Sequence, residues 1–228
     1  MTLKSYDQEV IKGMVGVPKE TFFNLPEDKR KKIEEAAVQE FRDHNFASSS
    51  VNRIVEASGI SKGSYYQYFE DKKDLYRYVL SMIADQKIAF LSPVLRNPQE
   101  MDIFTLIREL YKSGLAFGLA HPDFLEIGNK MIRDSSGISV IEEFPDMKER
   151  SDNLFLNLLK EAVKRGEIRE GLDLSLVSYL LSSLNITIAD YYFKVRDKAT
   201  YEVDIMEEVE KLISFIRYGI GERSGNQT

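Results

Sequence analysis

The chain contains no cysteine. Disulfides, thiolate metal sites and cysteine nucleophiles are thereby excluded. It has two histidines, His44 and His121, and neither falls in a nucleophile motif or an acid–base pair, so catalysis is not expected. The nearness of His121 to Asp123 and Glu126 suits a turn at a helix start better than a metal site, and neither a metal nor a cofactor is expected. Apolar runs approaching twenty residues are lacking, which predicts no membrane span and no membrane partner. Met1 to Glu20 lacks a basic start followed by a continuous apolar stretch, with Gly13, Gly16 and Pro18 interrupting it, so a cytoplasmic location is expected. General basicity is missing too. Lys plus Arg number 31 against 37 Asp plus Glu, a net charge of −6, which argues against a nucleic-acid coat protein. The first 78 residues carry 13 basic and 13 acidic groups, so the remaining 150 hold the whole acidic excess. A specific DNA reader with an acidic body has this distribution, and many enzymes do as well.

What is present points to helices. The 228 residues are 43% apolar and 30% charged, enough for a substantial core in one or two domains. No internal repeat or strand alternation interrupts a helical period. Residues 1–20 read as a flexible arm or lead-in helix. Asn24-Leu25-Pro26-Glu27-Asp28 offers a capping side chain, a first-turn proline and two acids for the positive helix end. Ile33, Ala36, Ala37 and Phe41 continue that helix to His44-Asn45, where asparagine tolerates a left-handed ending. Val51, Ile54 and Val55 form the apolar face of a short second helix. Ser61 caps a third, with Tyr65 and Phe69 inward. A fourth starts at Asp71 and ends before Pro93. Five more helical patterns follow: 103–119, 122–133, 144–165, 175–193 and 203–218. The expected class is all-α with about nine helices: a three-helix domain over 21–75, a larger helical domain over 76–221, and a disordered tail at 222–228.

The informative stretch is SSSVNRIVEASGISKGSYYQYFEDKKDLY, residues 48–76. Two short helices flank a glycine turn, the layout of a DNA-binding helix-turn-helix. Gly59 permits the turn, Ile60 plugs the angle and Ala57 is small enough for close approach. The next helix begins with the small, polar run Ser61, Lys62, Gly63, Ser64, which allows a whole helix to enter a major groove about 12 Å wide. Tyr65, Tyr66 and Tyr68 cannot all face inward, and outward hydroxyls suit phosphate contacts.

These residues resemble the N-terminal domain of the TetR family of transcription regulators. The similarity rests on Ser49-Ser50, Val51 and Ile54, Ala57 and Gly59, Ser61-Lys62-Gly63, Tyr66, Phe69 and Lys72, within about 50 residues from Asp28 to Leu75. Serines stand where threonine is commoner, and Tyr65 replaces a smaller apolar residue. The resemblance implies that Ser50, Ser61, Tyr66, Tyr68 and Lys72 touch phosphates, with Lys62, Gly63, Ser64 and Gln67 nearest base edges. Arg53, on the outward face of the second helix, is a further candidate.

One such unit covers little DNA, and a homodimer sets two of them about one helical turn apart on an operator. Leu176, Tyr179, Leu180, Ser183, Leu184, Thr187, Ile188 and Tyr191 form one helical stripe. Ile205, Val209, Leu212, Ile213 and Ile216 form another. Either stripe could be intramolecular core, and the resemblance favours a four-helix dimer interface. The middle helices would then enclose a small-molecule effector, with Phe104, Tyr111, Phe117, Phe124, Met131, Phe155 and Tyr192 as apolar walls. The expected function is a ligand-responsive repressor that leaves a near-palindromic operator when an apolar or amphipathic molecule binds. The alternative is a helical adaptor for other proteins that does not bind DNA.

Overall fold

A computed structural model describes residues 18–133, 145–195 and 201–220, and among them the regular elements are all helical. Ten α-helices follow in order: α1 (Glu20–Phe23), α2 (Glu27–Asp43), α3 (Val51–Ser58), α4 (Lys62–Tyr68), α5 (Lys72–Leu95), α6 (Ile103–Ala120), α7 (Pro122–Arg133), α8 (Pro145–Lys164), α9 (Leu174–Val195) and α10 (Tyr201–Ile220). A 3-10 turn, Pro98–Glu100, joins α5 to α6. The expected arm before Pro18 and tail from 222 lie outside the described residues. So do the side chains of Ile188, Tyr191, Tyr192 and Ile205.

Local signals act partly as expected. Pro26, not Asn24, precedes α2, and its carbonyl accepts from the Lys29 and Arg30 amides at 3.0 Å. Asn24 instead closes α1. The end of α2 is an extended His44, not a left-handed residue. Asn45 works through its side chain, whose Oδ1 accepts from the Ser48 amide at 2.9 Å, a local turn that competes with further helix. Pro93 lies inside α5, which was expected to stop before it. Proline there forgoes a backbone donor. Contrary to expectation, α5 is long and apolar enough to cross a bilayer by length and composition. Asp85 and Lys87 interrupt it, and its first turns bury Leu75, Val79 and Leu80.

The chain divides into two compact units. The first holds α1 to α4, α5 as far as Asp85, and α7. Its core is aromatic and aliphatic: Phe22, Ile33, Phe41, Ile54, Tyr65, Phe69, Leu75 and Val79 are buried. The expected boundary at 75/76 is thus displaced, and α7 moves out of the larger domain. Two polar contacts join α7 to the end of α2. Asp123 of α7 pairs with Arg42 at 3.1 Å, and the Lys130 amine donates to the Arg42 carbonyl at the end of α2. Phe124 and Met131, expected as ligand walls, therefore belong to the first unit.

The second unit packs α6, α8, α9 and α10 around Ile103, Leu106, Ile107, Leu159, Ala162, Leu181, Val209, Ile213 and Ile216. Asp102 caps α6, accepting from the Phe104 amide at 3.0 Å and the Thr105 amide at 3.2 Å. Phe104 and Phe155 are packed in this core, and the Arg217 guanidinium lies 4.7 Å over the Phe104 ring. Core packing occupies the faces that were expected to line a ligand site. Phe117 is also buried, and Tyr111 is half-buried. Val209, Ile213 and Ile216 are likewise intramolecular, which corrects their expected place in a dimer interface; Leu212 and Leu184 pack against the same core. The exposed faces carry Leu176, Tyr179, Leu180 and Thr187 on α9, with Ser183 half-buried beside them. On α10 they carry Phe215 and Tyr218, 73% and 84% exposed, neither of which the apolar stripe singled out.

Leu159 is fully buried in the second unit. Leu159→Ala is expected to cost about 3 kcal/mol, measured as a lower urea midpoint with an unchanged slope.

Candidate nucleic-acid interface

The turn between α3 and α4 is built by Gly59 at φ 68°, a conformation that a Cβ penalises. The Gly59 and Ile60 amides return to the carbonyls of Glu56 and Val55, each at 3.2 Å, which closes α3. Ala57 is exposed, so it does not govern the approach of the two helices. Ser58 is the buried small residue, and its hydroxyl donates to the Ile54 carbonyl at 2.7 Å.

At the start of α4, Ser61 accepts from the Ser64 amide at 3.0 Å. Tyr65 is fully buried and donates its phenol to the Asp71 carbonyl at 2.9 Å, which accounts for a tyrosine at an otherwise apolar place. Tyr68 and Phe69 are buried against Phe22, with ring centroids 6.1 and 4.9 Å apart. What remains outside is Ser61, Lys62, Gly63, Tyr66 and Gln67, with Ser64 half-buried. The far end of α4 is held by α1 and the residue before it. Lys19 Nζ donates to the Tyr66 carbonyl at 3.0 Å, Thr21 Oγ1 to that of Gln67 at 2.6 Å, and the Lys19 amide to that of Tyr68 at 2.8 Å. These bonds satisfy carbonyls that a helix end leaves open. Nothing in the sequence pattern marks Lys19 or Thr21 for this task.

Three residues expected at phosphates or on the outward face, Tyr68, Lys72 and Arg53, do other work. Tyr68 is inward, because its ring completes the Phe22 cluster. Lys72 directs Nζ at the carbonyls of Phe46 (2.6 Å), Ser49 (2.9 Å) and Ala47 (3.4 Å), and lies 4.7 Å from the Phe46 ring centroid. An ammonium has three donors, so the 46–49 loop occupies them all. Arg53 chelates Glu40, with Nε at 3.0 and 3.1 Å and Nη2 at 2.5 Å, and also reaches the Ser48 carbonyl at 2.9 Å. The Ser50 amide donates to the same Glu40 carboxylate at 2.7 Å. Glu40 is buried. Burial pushes its carboxyl up, but Arg53 and the Ser50 amide outweigh burial and hold it below the ordinary 4.5. Asp74 is shifted the other way: burial raises it, and its Oδ1 is buried without a hydrogen-bond partner.

A glycine-hinged pair of short helices, the second with an outward leading edge of small and polar side chains, defines a helix-turn-helix DNA-binding protein. Residues 33–79 match the model of the bacterial regulatory proteins of the tetR family. Over these residues the chain is similar to the DNA-binding domain of that family. It is 24% identical to the fatty acid metabolism regulator protein of Bacillus subtilis over 65% of this chain and 75% of that one. It is also 24% identical to a probable acrEF/envCD operon repressor of Escherichia coli over 62% of this chain, and spans only 54% of that repressor. Among solved structures, a TetR family transcriptional regulator from Chloroflexus aurantiacus is 27% identical, with a TM-score of 0.60 over 91% of this chain and 100% of that one. The fatty acid degradation regulator FadR of Bacillus halodurans shares the fold at 18% identity, with a TM-score of 0.64 over 88% and 100%.

Glu40 contributes stability above about pH 4.5 that is lost as acid reaches its lower folded pKa. Glu40→Gln is expected to cost about 2 kcal/mol at neutral pH, less than a fully buried pair because Arg53 is half-exposed and rehydrates, and to flatten the acid limb of stability against pH. Asp74, raised by burial, has the opposite sign: its stabilising contribution is present at low pH and lost as pH rises. Asp74→Asn is therefore expected to raise the Tm at pH 7, read by thermal circular dichroism.

Proposed function

We propose that this regulator is a cytoplasmic repressor whose homodimer grips a near-palindromic operator and leaves it when a small apolar or amphipathic molecule binds the helical body. The observation that carries the DNA half is the outward edge of α4. Lys62, Gly63 and Gln67 are exposed together, with Tyr66 beside them. Lysine donates to guanine O6 or N7, and the bare glycine lets the helix settle close to base edges. Tyr66 and Ser61 offer hydroxyls to the flanking phosphates.

Two-fold symmetry follows from the need to read successive turns of one groove. The surface that suits a second copy is the exposed apolar set on α9 and α10: Leu176, Tyr179, Leu180, Phe215 and Tyr218. The effector half is supported by the relatives, two of which are named for control of fatty acid metabolism or degradation. Because binding free energies are reciprocal, effector and operator would each weaken the other's hold.

Selection from a random duplex pool tests the reading, with two inverted half-sites about one helical turn apart as the expected product. Lys62→Ala is expected to weaken the selected site about tenfold and to reduce the salt slope by about one ion, with Tm unchanged. Lys72→Met is expected to lower the Tm first. An asymmetric product, or affinity indifferent to salt, would favour the adaptor. Phe215→Glu with Leu180→Glu is expected to halve the mass in sedimentation and abolish operator binding.

A further inference from the structure

The helix that carries the outward edge is short, and its far end is finished by residues from a distant part of the chain. Within the segment itself, the Phe69 amide serves the Tyr65 carbonyl at 2.9 Å. The next three carbonyls are served from the start of the first unit: Tyr66 by Lys19 Nζ, Gln67 by Thr21 Oγ1 and Tyr68 by the Lys19 amide. An isolated helix of this length is unstable in water, so its direction is set by what holds it. The donors are themselves fixed. Lys19 and Thr21 are exposed, but Pro18 and Phe22 on either side of them are buried. The Phe22 ring stands 6.1 Å from that of Tyr68, 4.9 Å from Phe69 and 5.1 Å from Tyr78 on α5. Two of the three carbonyls held belong to Tyr66 and Gln67, whose side chains are exposed on the edge with Gly63, three and four positions before them.

We propose that Lys19 and Thr21 are specificity-determining positioning residues of the DNA interface, which fix the tilt of α4 so that Gly63 and Gln67 meet base edges in register. Tyr65 is buried and tied to the Asp71 carbonyl, so a released α4 pivots about that side chain and its exposed edge swings. Hydrogen bonds to base edges are directional and are lost by such a swing. Phosphate contacts through long, flexible side chains follow it and persist, and they carry no sequence information. Loosening the far end of α4 therefore removes discrimination before it removes binding. The assignment rests on the DNA reading above and adds to it two residues that need touch no base.

The test compares, by fluorescence anisotropy of the full chain, the duplex recovered from the random pool with a scrambled duplex of equal length and composition. Thr21→Val keeps a branched side chain and removes the donor. It is expected to weaken the selected duplex about fivefold, the equivalent of one neutral hydrogen bond, and to leave the scrambled duplex and the salt slope unchanged. Thr21→Ser, which keeps the donor, is expected to restore the preference. Lys19→Met is expected to weaken the selected duplex more than the scrambled one. An equal fall on both duplexes, with the salt slope reduced by about one ion, would make Lys19 a phosphate contact and overturn its positioning role. A preference unchanged in Thr21→Val, or not restored in Thr21→Ser, would overturn that of Thr21. If the natural chain does not distinguish the two duplexes, the DNA reading fails and this assignment with it.

Discussion

Glu40 projects from α2 into the interior of the first unit, where a carboxylate is tolerable only with donors around it. Arg53 and the Ser50 amide provide them, so the start of α3 is tied to the middle of α2. From that tie the orientation of α3 follows, then the Gly59 turn, then the angle at which α4 emerges. Lys72 secures the intervening loop from the other side by holding three of its carbonyls. The edge offered to a duplex is thus positioned by charges that do not themselves face DNA.

That arrangement separates two kinds of cation that look alike in a sequence. Arg53 and Lys72 are spent on the protein, whereas Lys62 carries no such burden. A long polar side chain is free to bind phosphate only if the backbone around it has no open carbonyl to satisfy. Around Phe46 to Ser49 such carbonyls abound, because the chain there is neither helix nor strand.

The two units also spend apolar surface differently. In the first, aromatic rings from α1, α4 and α5 converge on Phe22, and α7 meets the end of α2 through the Asp123–Arg42 ion pair and the Lys130 amine on the Arg42 carbonyl. In the second, the aliphatic stripes of α6, α8 and α10 close on one another and consume residues that periodicity alone would offer to a partner. The apolar surface left over on α10 is Phe215 and Tyr218, set beside the buried stripe rather than on it.

The sequence by itself determined the all-helical class, the glycine turn, the capped start of α4 and the resemblance to tetR-family regulators, because each depends on residues within a few positions of one another. Spacing of Val51, Ile54, Gly59, Ser61 and Phe69 is a local property, and local properties survive in a linear string. Tertiary structure alone decided that Tyr68 turns inward, that Arg53 and Lys72 serve the protein, that α7 packs with the first unit, and that Ile213 is core while Phe215 is surface. Each of those outcomes turns on which distant group arrives to compete for a ring, a donor or an apolar face. A helical stripe records that a face is apolar, and only packing chooses what covers it.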